Sequence, residues 1–338
     1  MNIYSMILKT TSSTTSFKSL KEGLSKVLWK GSRRYLRLYG SIFLSACILF
    51  TGCEKAPEEY VSPVTELRDS TPKCLIPEAP GTNVTGNEYV SIDESNASEG
   101  YICVTYLGDS SKVKLQITGP DYMTYTYDLY GNDMEVFPLS TGSGDYSIAV
   151  HEQIEGTQYS TVYSEDTSFE ITNEMGAFLY PNQYCKFTPD SEVVAAASEI
   201  VSTAHDDLEV IDRVYDYITS TITYDTYKAE TVESGYIPNV DEILNIRTGI
   251  CLDYSAVMTS MLRSQQIPTR MEIGYAGNAY HAWLSAYVEE IGWINGIIQF
   301  DGTSWSLMDP TVAANSGDES LKKFIGDQDN VYMTKYTY

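Results

Sequence analysis

Histidine is scarce in this chain, three among 338 residues, and basic side chains are outnumbered: 22 lysines and arginines face 46 aspartates and glutamates, a formal charge of −24. So acidic a chain lacks the basic surface that releases counterions from a phosphate backbone, which excludes nucleic acid as a partner. With His151 and His205 each standing alone, no ligand set at metal spacing forms, and no metal or other cofactor is expected. No period of 20 to 50 residues repeats, which argues against a solenoid. The 23 glycines and 12 prolines are too few for a disordered or low-complexity chain. The apolar run at 41–50 is too short to cross a bilayer as a helix.

What is present is length for two domains and 43% hydrophobic residues to fill their cores. The charge is also divided along the chain. Residues 1–53 carry eight basic residues and one acid, while the remainder carries 14 basic and 45 acidic residues. Lys26, Lys30, Arg33, Arg34 and Arg37 precede the apolar run, which ends in Phe50-Thr51-Gly52-Cys53. Positive flank, short apolar core and small residues before a Cys resemble an export signal ending in a bacterial lipobox. Leu44-Ser45-Ala46-Cys47 fits the same pattern, but Cys47 is followed by the apolar Ile48-Leu49-Phe50, whereas Cys53 is followed by Glu54-Lys55-Ala56-Pro57-Glu58-Glu59. Cys53 is therefore the expected lipidation site, with 1–53 as signal peptide and the mature chain anchored to the extracytoplasmic face of the cell membrane. Met6 is an alternative start.

Residues 54–85 are proline-rich, charged and aperiodic, which reads as a linker. From 86 to 172 the pattern alternates. Val113, Leu115 and Ile117 interleave with Lys112, Lys114 and Gln116, and Tyr146, Ile148 and Val150 interleave with Ser147, Ala149 and His151. Seven or eight short strands separated by glycine turns predict an all-β sandwich of immunoglobulin-like architecture, without a partner to bridge Cys103 across it. Its many tyrosines could form a sugar- or peptide-binding face, though tyrosine is also a common strand residue.

After Pro181 the period becomes helical. Helices are predicted over 191–204, from Asp206-Asp207 onward, and from Cys251 to about Gln265, followed by strands over 269–276, 281–289 and 297–300. Helices first and antiparallel strands after describe an α+β domain over 173–338.

That domain carries three residues in an order that suits thiol chemistry. A nucleophilic thiol needs a lowered pKa, a base within hydrogen-bond reach and a group to orient the base. Cys251 opens a helix, where free N–H groups and the dipole favour a thiolate and could bind an oxyanion; a lowered thiol pKa is expected. His281 begins a strand, and Asp309 lies at a strand end before Pro310. A small core cysteine and a turn aspartate are the plain alternatives for each residue taken singly.

Four segments in order then resemble the transglutaminase-like core of bacterial surface proteins: Gly249-Ile250-Cys251-Leu252-Asp253-Tyr254-Ser255, Leu262 through Arg270, His281-Ala282-Trp283 and Asp309-Pro310-Thr311. Upstream, the stretches around Val214-Tyr215-Asp216 and Ile222-Thr223-Tyr224-Asp225 resemble the helix and short strand preceding the Cys loop of that family. The resemblance implies a papain-like α+β fold and a thioester acyl-enzyme, with Cys251 as nucleophile, His281 as general base and acid, and Asp309 as orienting carboxylate. Asp301 is a rival for the last role. Tyr224 is a candidate for the oxyanion hole, and Trp283 for the wall of an acyl pocket or a core aromatic behind His281. Protein, peptide or cell-wall peptide substrates are implied, with hydrolysis favoured over amine transfer; the rival reading is a catalytically inactive binding module. Cys74, Cys103 and Cys185 leave an odd thiol, and their pairing stays open.

Overall fold

Period-two alternation of apolar and polar residues builds the first half of the fold. In the computed structural model, which describes residues 66–276, 279–289, 291–296, 299–300, 305–306 and 332–338, this half contains β1 (Val84–Gly86), β2 (Val90–Asp93), β3 (Tyr101–Tyr106), β4 (Val113–Thr118), β5 (Thr124–Leu129), β6 (Glu135–Pro138), β7 (Gly144–Glu155) and β8 (Gln158–Phe169). They pair as two antiparallel four-stranded sheets, β1-β2-β3-β6 and β5-β4-β7-β8. Val113, Leu115 and Ile117 of β4 are buried on one face, with Leu115 opposite Val150 and Ile117 opposite Ile148 of β7, where Tyr146 is buried as well. Register follows from this alternation, because a slip by one residue would turn every buried side chain to solvent.

The second half contains α1 (Glu192–Ile200), α2 (Asp207–Thr221), β9 (Thr223–Tyr224), α3 (Thr226–Thr231), α4 (Val240–Ile246), β10 (Thr248–Gly249), α5 (Cys251–Ser264), β11 (Thr269–Ala276), β12 (Ala279–Val288), β13 (Gly292–Ile294), β14 (Gln299–Phe300), β15 (Trp305–Ser306) and β16 (Tyr332–Thr337). Asp206 caps α2 by accepting from the Glu209 amide at 2.8 Å. Helix α5 is enclosed: every residue from Asp253 to Ser264 is buried. It packs against α1, α2 and α4 and against the antiparallel sheet β13-β12-β11-β16. The final strand β16, for which the sequence offers no clear signal, joins β11 at Gly274, where a Cβ would meet the Met333 carbonyl oxygen at 2.0 Å.

One apolar core runs through both halves. Tyr338 ties them: its ring lies 4.5 Å from that of Tyr184, 5.6 Å from Tyr125 and 5.9 Å from Tyr127. Its carbonyl accepts from Arg263 at 2.8 Å. The described residues all fall within one compact unit, Ser62–Tyr338.

The stretch read as linker differs from that expectation in its described part. The Arg68 guanidinium donates to Asp207 and to the Gln265 carbonyl, both at 2.6 Å, and the Lys73 amide donates to the Ser264 carbonyl at 2.9 Å. Proline-rich backbone without its own periodicity is thus docked by the carbonyls that the end of α5 leaves unpaired within the helix. None of the four described cysteines is disulfide-bonded.

Candidate active site

The loop before α5 takes its shape from the strand beside it and from the first turn of the helix. Parallel pairing of Thr223-Tyr224 with Thr248-Gly249 sets Tyr224 beside the entry to the helix, and the Asp225 amide donates to the Gly249 carbonyl at 2.9 Å. Gly249 cannot carry a side chain here, since its Cβ would sit 2.7 Å from the Cβ of Asp253. Ile250 at the N-cap has no side-chain acceptor to offer. The Asp253 carboxylate reaches back instead and accepts from the Ile250 amide at 2.8 Å, the reciprocal half of a capping box.

Cys251 occupies the first helical position, partly exposed. Its sulfur faces the backbone N–H of Ala282, the residue after His281 on β12, and the amides of Leu252 and of Cys251 itself. These donors favour a thiolate. Burial acts more strongly in the other direction, aided by the nearby Asp253 charge, so the thiol is raised above the ordinary value. This differs from the lowered value expected from a helix start alone, because in the closed fold desolvation outweighs the amides.

The Tyr224 hydroxyl faces the Cys251 backbone N–H, and its pKa is pushed up to about 12 by burial and by the proximity of Cys251. The phenol therefore stays protonated near neutral pH, with the Cys251 amide directed at its oxygen. His281 is buried, which lowers its pKa to about 4. Burial thus acts on both groups in the direction of the uncharged form, the thiol of Cys251 and the neutral imidazole of His281. The Trp283 ring lies two residues along β12, buried, with its centroid 6.3 Å from that of His281 and the rings inclined by 26°.

Of the residues singled out in the sequence, Cys251, Tyr224, His281 and Trp283 thus gather around the start of α5 and the adjoining part of β12. Asp309, its rival Asp301, and Cys53 lie outside the described residues. Among the described residues no group of three or more His, Cys, Asp or Glu side chains could hold a metal ion, and no helix is long and apolar enough to cross a membrane.

Three residues that sequence reasoning left without a role complete the arrangement. Asp253 is fully buried and accepts from Lys228 Nζ at 2.6 Å and from the Tyr236 hydroxyl at 2.7 Å, besides the Ile250 amide. An acid three residues after the N-cap is a legible capping signal, but its pairing with Lys228 and Tyr236 depends on a fold contact that no local pattern announces.

Residues 194–296 match the family model of the transglutaminase-like superfamily. The uncharacterized protein YebA of Bacillus subtilis is 25% identical over 196 residues, 49% of this chain, which spans only 26% of YebA. Among solved structures, a provisionally assigned cysteine protease from Cytophaga hutchinsonii aligns over 63% of this chain and 67% of its own, with 15% identity and a TM-score of 0.33. Red sea bream transglutaminase aligns over 68% and 52%, with 13% identity and a TM-score of 0.26. Both scores are too low to bear on fold or chemistry. On the family match and the residues it spans, from α1 through Cys251 and His281, the second half of this chain contains a transglutaminase-like domain.

Proposed function

We propose that this protein is a thiol enzyme that opens peptide or cell-wall amide bonds through a thioester on Cys251. The observation that carries this reading is the Cys251 sulfur at the start of a buried helix, against the backbone that bears His281, with the Tyr224 hydroxyl at its own amide. In the proposed reaction His281 takes the thiol proton as sulfur bonds to the acyl carbon. The oxyanion is held by the Cys251 amide and Tyr224, the C–N bond breaks, and the amine leaves with the proton from His281. Water then attacks the thioester, giving its proton to His281 and releasing the acid and the thiol. Asp309 is proposed to orient His281, with hydrolysis outpacing amine transfer. The strand orders β1-β2-β3-β6 and β5-β4-β7-β8 support an immunoglobulin-like sandwich that carries this domain. The Cys53 motif supports a lipid anchor on the extracytoplasmic face of the cell membrane, and intact mass should show diacylglycerol there. The acidic surface supports protein or peptide partners over nucleic acid.

The raised thiol and the neutral imidazole favour a second reading, an idle module that uses the fold for binding. A glutaminyl peptide and a labelled primary amine given to the full chain separate the readings. Release of acid exceeding amine incorporation, with both lost in Cys251→Ala, supports the enzyme. No turnover of any amide in a peptide library would leave the binding module. Asp309→Asn should lower turnover by roughly 10³–10⁴-fold with the fold intact; a larger loss in Asp301→Asn would transfer the orienting role.

A further inference from the structure

A buried carboxylate two residues from a reacting thiol is an electrostatic obstacle. Asp253 is fully buried, and its charge opposes the Cys251 thiolate. Serving as a helix cap needs only one of its oxygens, and an asparagine would do that as well. The structure instead surrounds this carboxylate with a cation and a phenol. Lys228 Nζ lies 2.6 Å from Oδ2, the Tyr236 hydroxyl donates to Oδ1 at 2.7 Å, and Lys228 also donates to the Tyr236 oxygen at 2.7 Å. The ammonium additionally sits 4.1 Å from the centre of the Tyr236 ring.

These partners come from one segment. Tyr224 on β9 meets the Cys251 amide, Lys228 stands on α3, whose N-cap Asp225 holds the Lys228 amide at 2.8 Å, and Tyr236 lies just beyond. The segment therefore grips both sides of the helix start, the thiol side through Tyr224 and the carboxylate side through Lys228 and Tyr236. The Lys228 side chain is 24% exposed, so its charge is only partly screened by water.

We infer that Lys228 and Tyr236 are positioning residues for Cys251: through Asp253 they fix the first turn of α5 and balance the buried carboxylate charge beside the thiol. Asp253 ties down the Ile250 amide, which leaves the amides of Cys251 and Leu252 directed at the sulfur. The ionisable groups that act on the thiol among the described residues are Tyr224 from β9, Asp253 from α5 and Tyr280 from β12, with His281 next to the Ala282 amide that meets the sulfur. Lys228 is the cation bonded to one of them. The inference rests on Cys251 being the reacting thiol, but its test needs no substrate.

The test is the pH dependence of iodoacetamide alkylation of Cys251 in the folded full chain, read by peptide mass mapping with Cys74 as internal reference. Lys228→Met should move the profile to higher pH by about one unit, a roughly tenfold slower reaction at pH 7. Lys228→Arg, which keeps the charge, should stay within about threefold of the parent. Lys228→Met combined with Asp253→Asn should return to within about threefold, because the unbalanced charge is gone while an amide oxygen still caps Ile250. A purely structural role predicts the opposite, with the double variant at least as slow as Lys228→Met. That result, or an unmoved profile in folded Lys228→Met, overturns the inference. Should Lys228→Met not fold, Tyr236→Phe removes one hydroxyl and no charge, and must shift the profile in the same direction by about threefold; no shift there also overturns it. A parent Cys251 that reacts no faster than Cys74 would instead count against the proposed enzyme, whatever the variants do.

Discussion

The eight-stranded half and helix α5 bury their side chains under different rules. The inner faces of β4 and β7 are apolar: Val113, Leu115, Ile117, Tyr146, Ile148 and Val150. Helix α5 buries Asp253, Ser255, Thr259, Ser260, Arg263 and Ser264 completely. In the sheets, period-two alternation sets the register, and many apolar side chains of similar volume would satisfy it. Around α5 the placement is set by directional bonds at both ends. Asp253 is held by Lys228, Tyr236 and the Ile250 amide, and Arg263 donates to the carbonyls of Thr269, Tyr180 and Tyr338 and to the Cys185 sulfur. An acid at the helix start and a base at its end also suit the dipole. Buried polarity thus runs the length of α5, and at both ends it is satisfied by directional partners.

Breaking the polar end should cost most. Arg263→Met leaves three carbonyls and Cys185 without their donor, and should lower stability by about 3–5 kcal/mol in denaturant unfolding. Arg263→Lys should recover less than half of that, because a single ammonium cannot reach acceptors arranged for a planar fork. A loss below about 1 kcal/mol in Arg263→Met would make α5 no different from the sheets.

Leu115→Ala opens a cavity in the apolar half and should cost about 2–5 kcal/mol. It should leave the alkylation rate of Cys251 in the folded protein unchanged. An altered rate would show that packing in the sheets also sets the thiol geometry.

Acid should sharpen the contrast further. The unfolded chain protonates His281 near the ordinary 6.5, whereas burial holds it to about 4 in the fold. The penalty is absent above pH 6.5, grows as pH falls through this window, and reaches roughly 3 kcal/mol below pH 4. His151 is also lowered by burial and acts in the same direction, so the measurement is the difference in urea unfolding between the parent and His281→Gln. Equal acid sensitivity in both would refute the assignment. The smallest effect belongs to the outer face of the sheets. Lys114 and Asp128, paired across β4 and β5 at 2.5 Å and partly exposed, should contribute no more than about 1 kcal/mol on Lys114→Ala.

Local pattern made much of this architecture legible. The alternation at 113–117 and 146–150 is borne out by β4 and β7, β11 covers the predicted 269–276, and α5 runs close to its expected bounds. Other elements carried no such signal. Strands β9 and β10 are two residues each, and α3 and α4 span six and seven residues, too short for a period to register. Strand β16 shows itself only through its pairing with β11 across a long stretch of chain.

The candidate residues can be read in the chain: a Cys two residues after a glycine at a helix start, a His on a strand, an Asp before a proline, and a tyrosine upstream. These are local signals of capping, turn and alternation, set by neighbours a few residues apart. The electrostatics arise from the folded arrangement alone. Burial lowers His281 and raises Cys251 against the pull of the helix amides, and Asp253 is paired with Lys228 and Tyr236 from a separate segment. Solvation and charge pairing depend on what surrounds a group in space, and the residues that surround these groups are far from them along the chain.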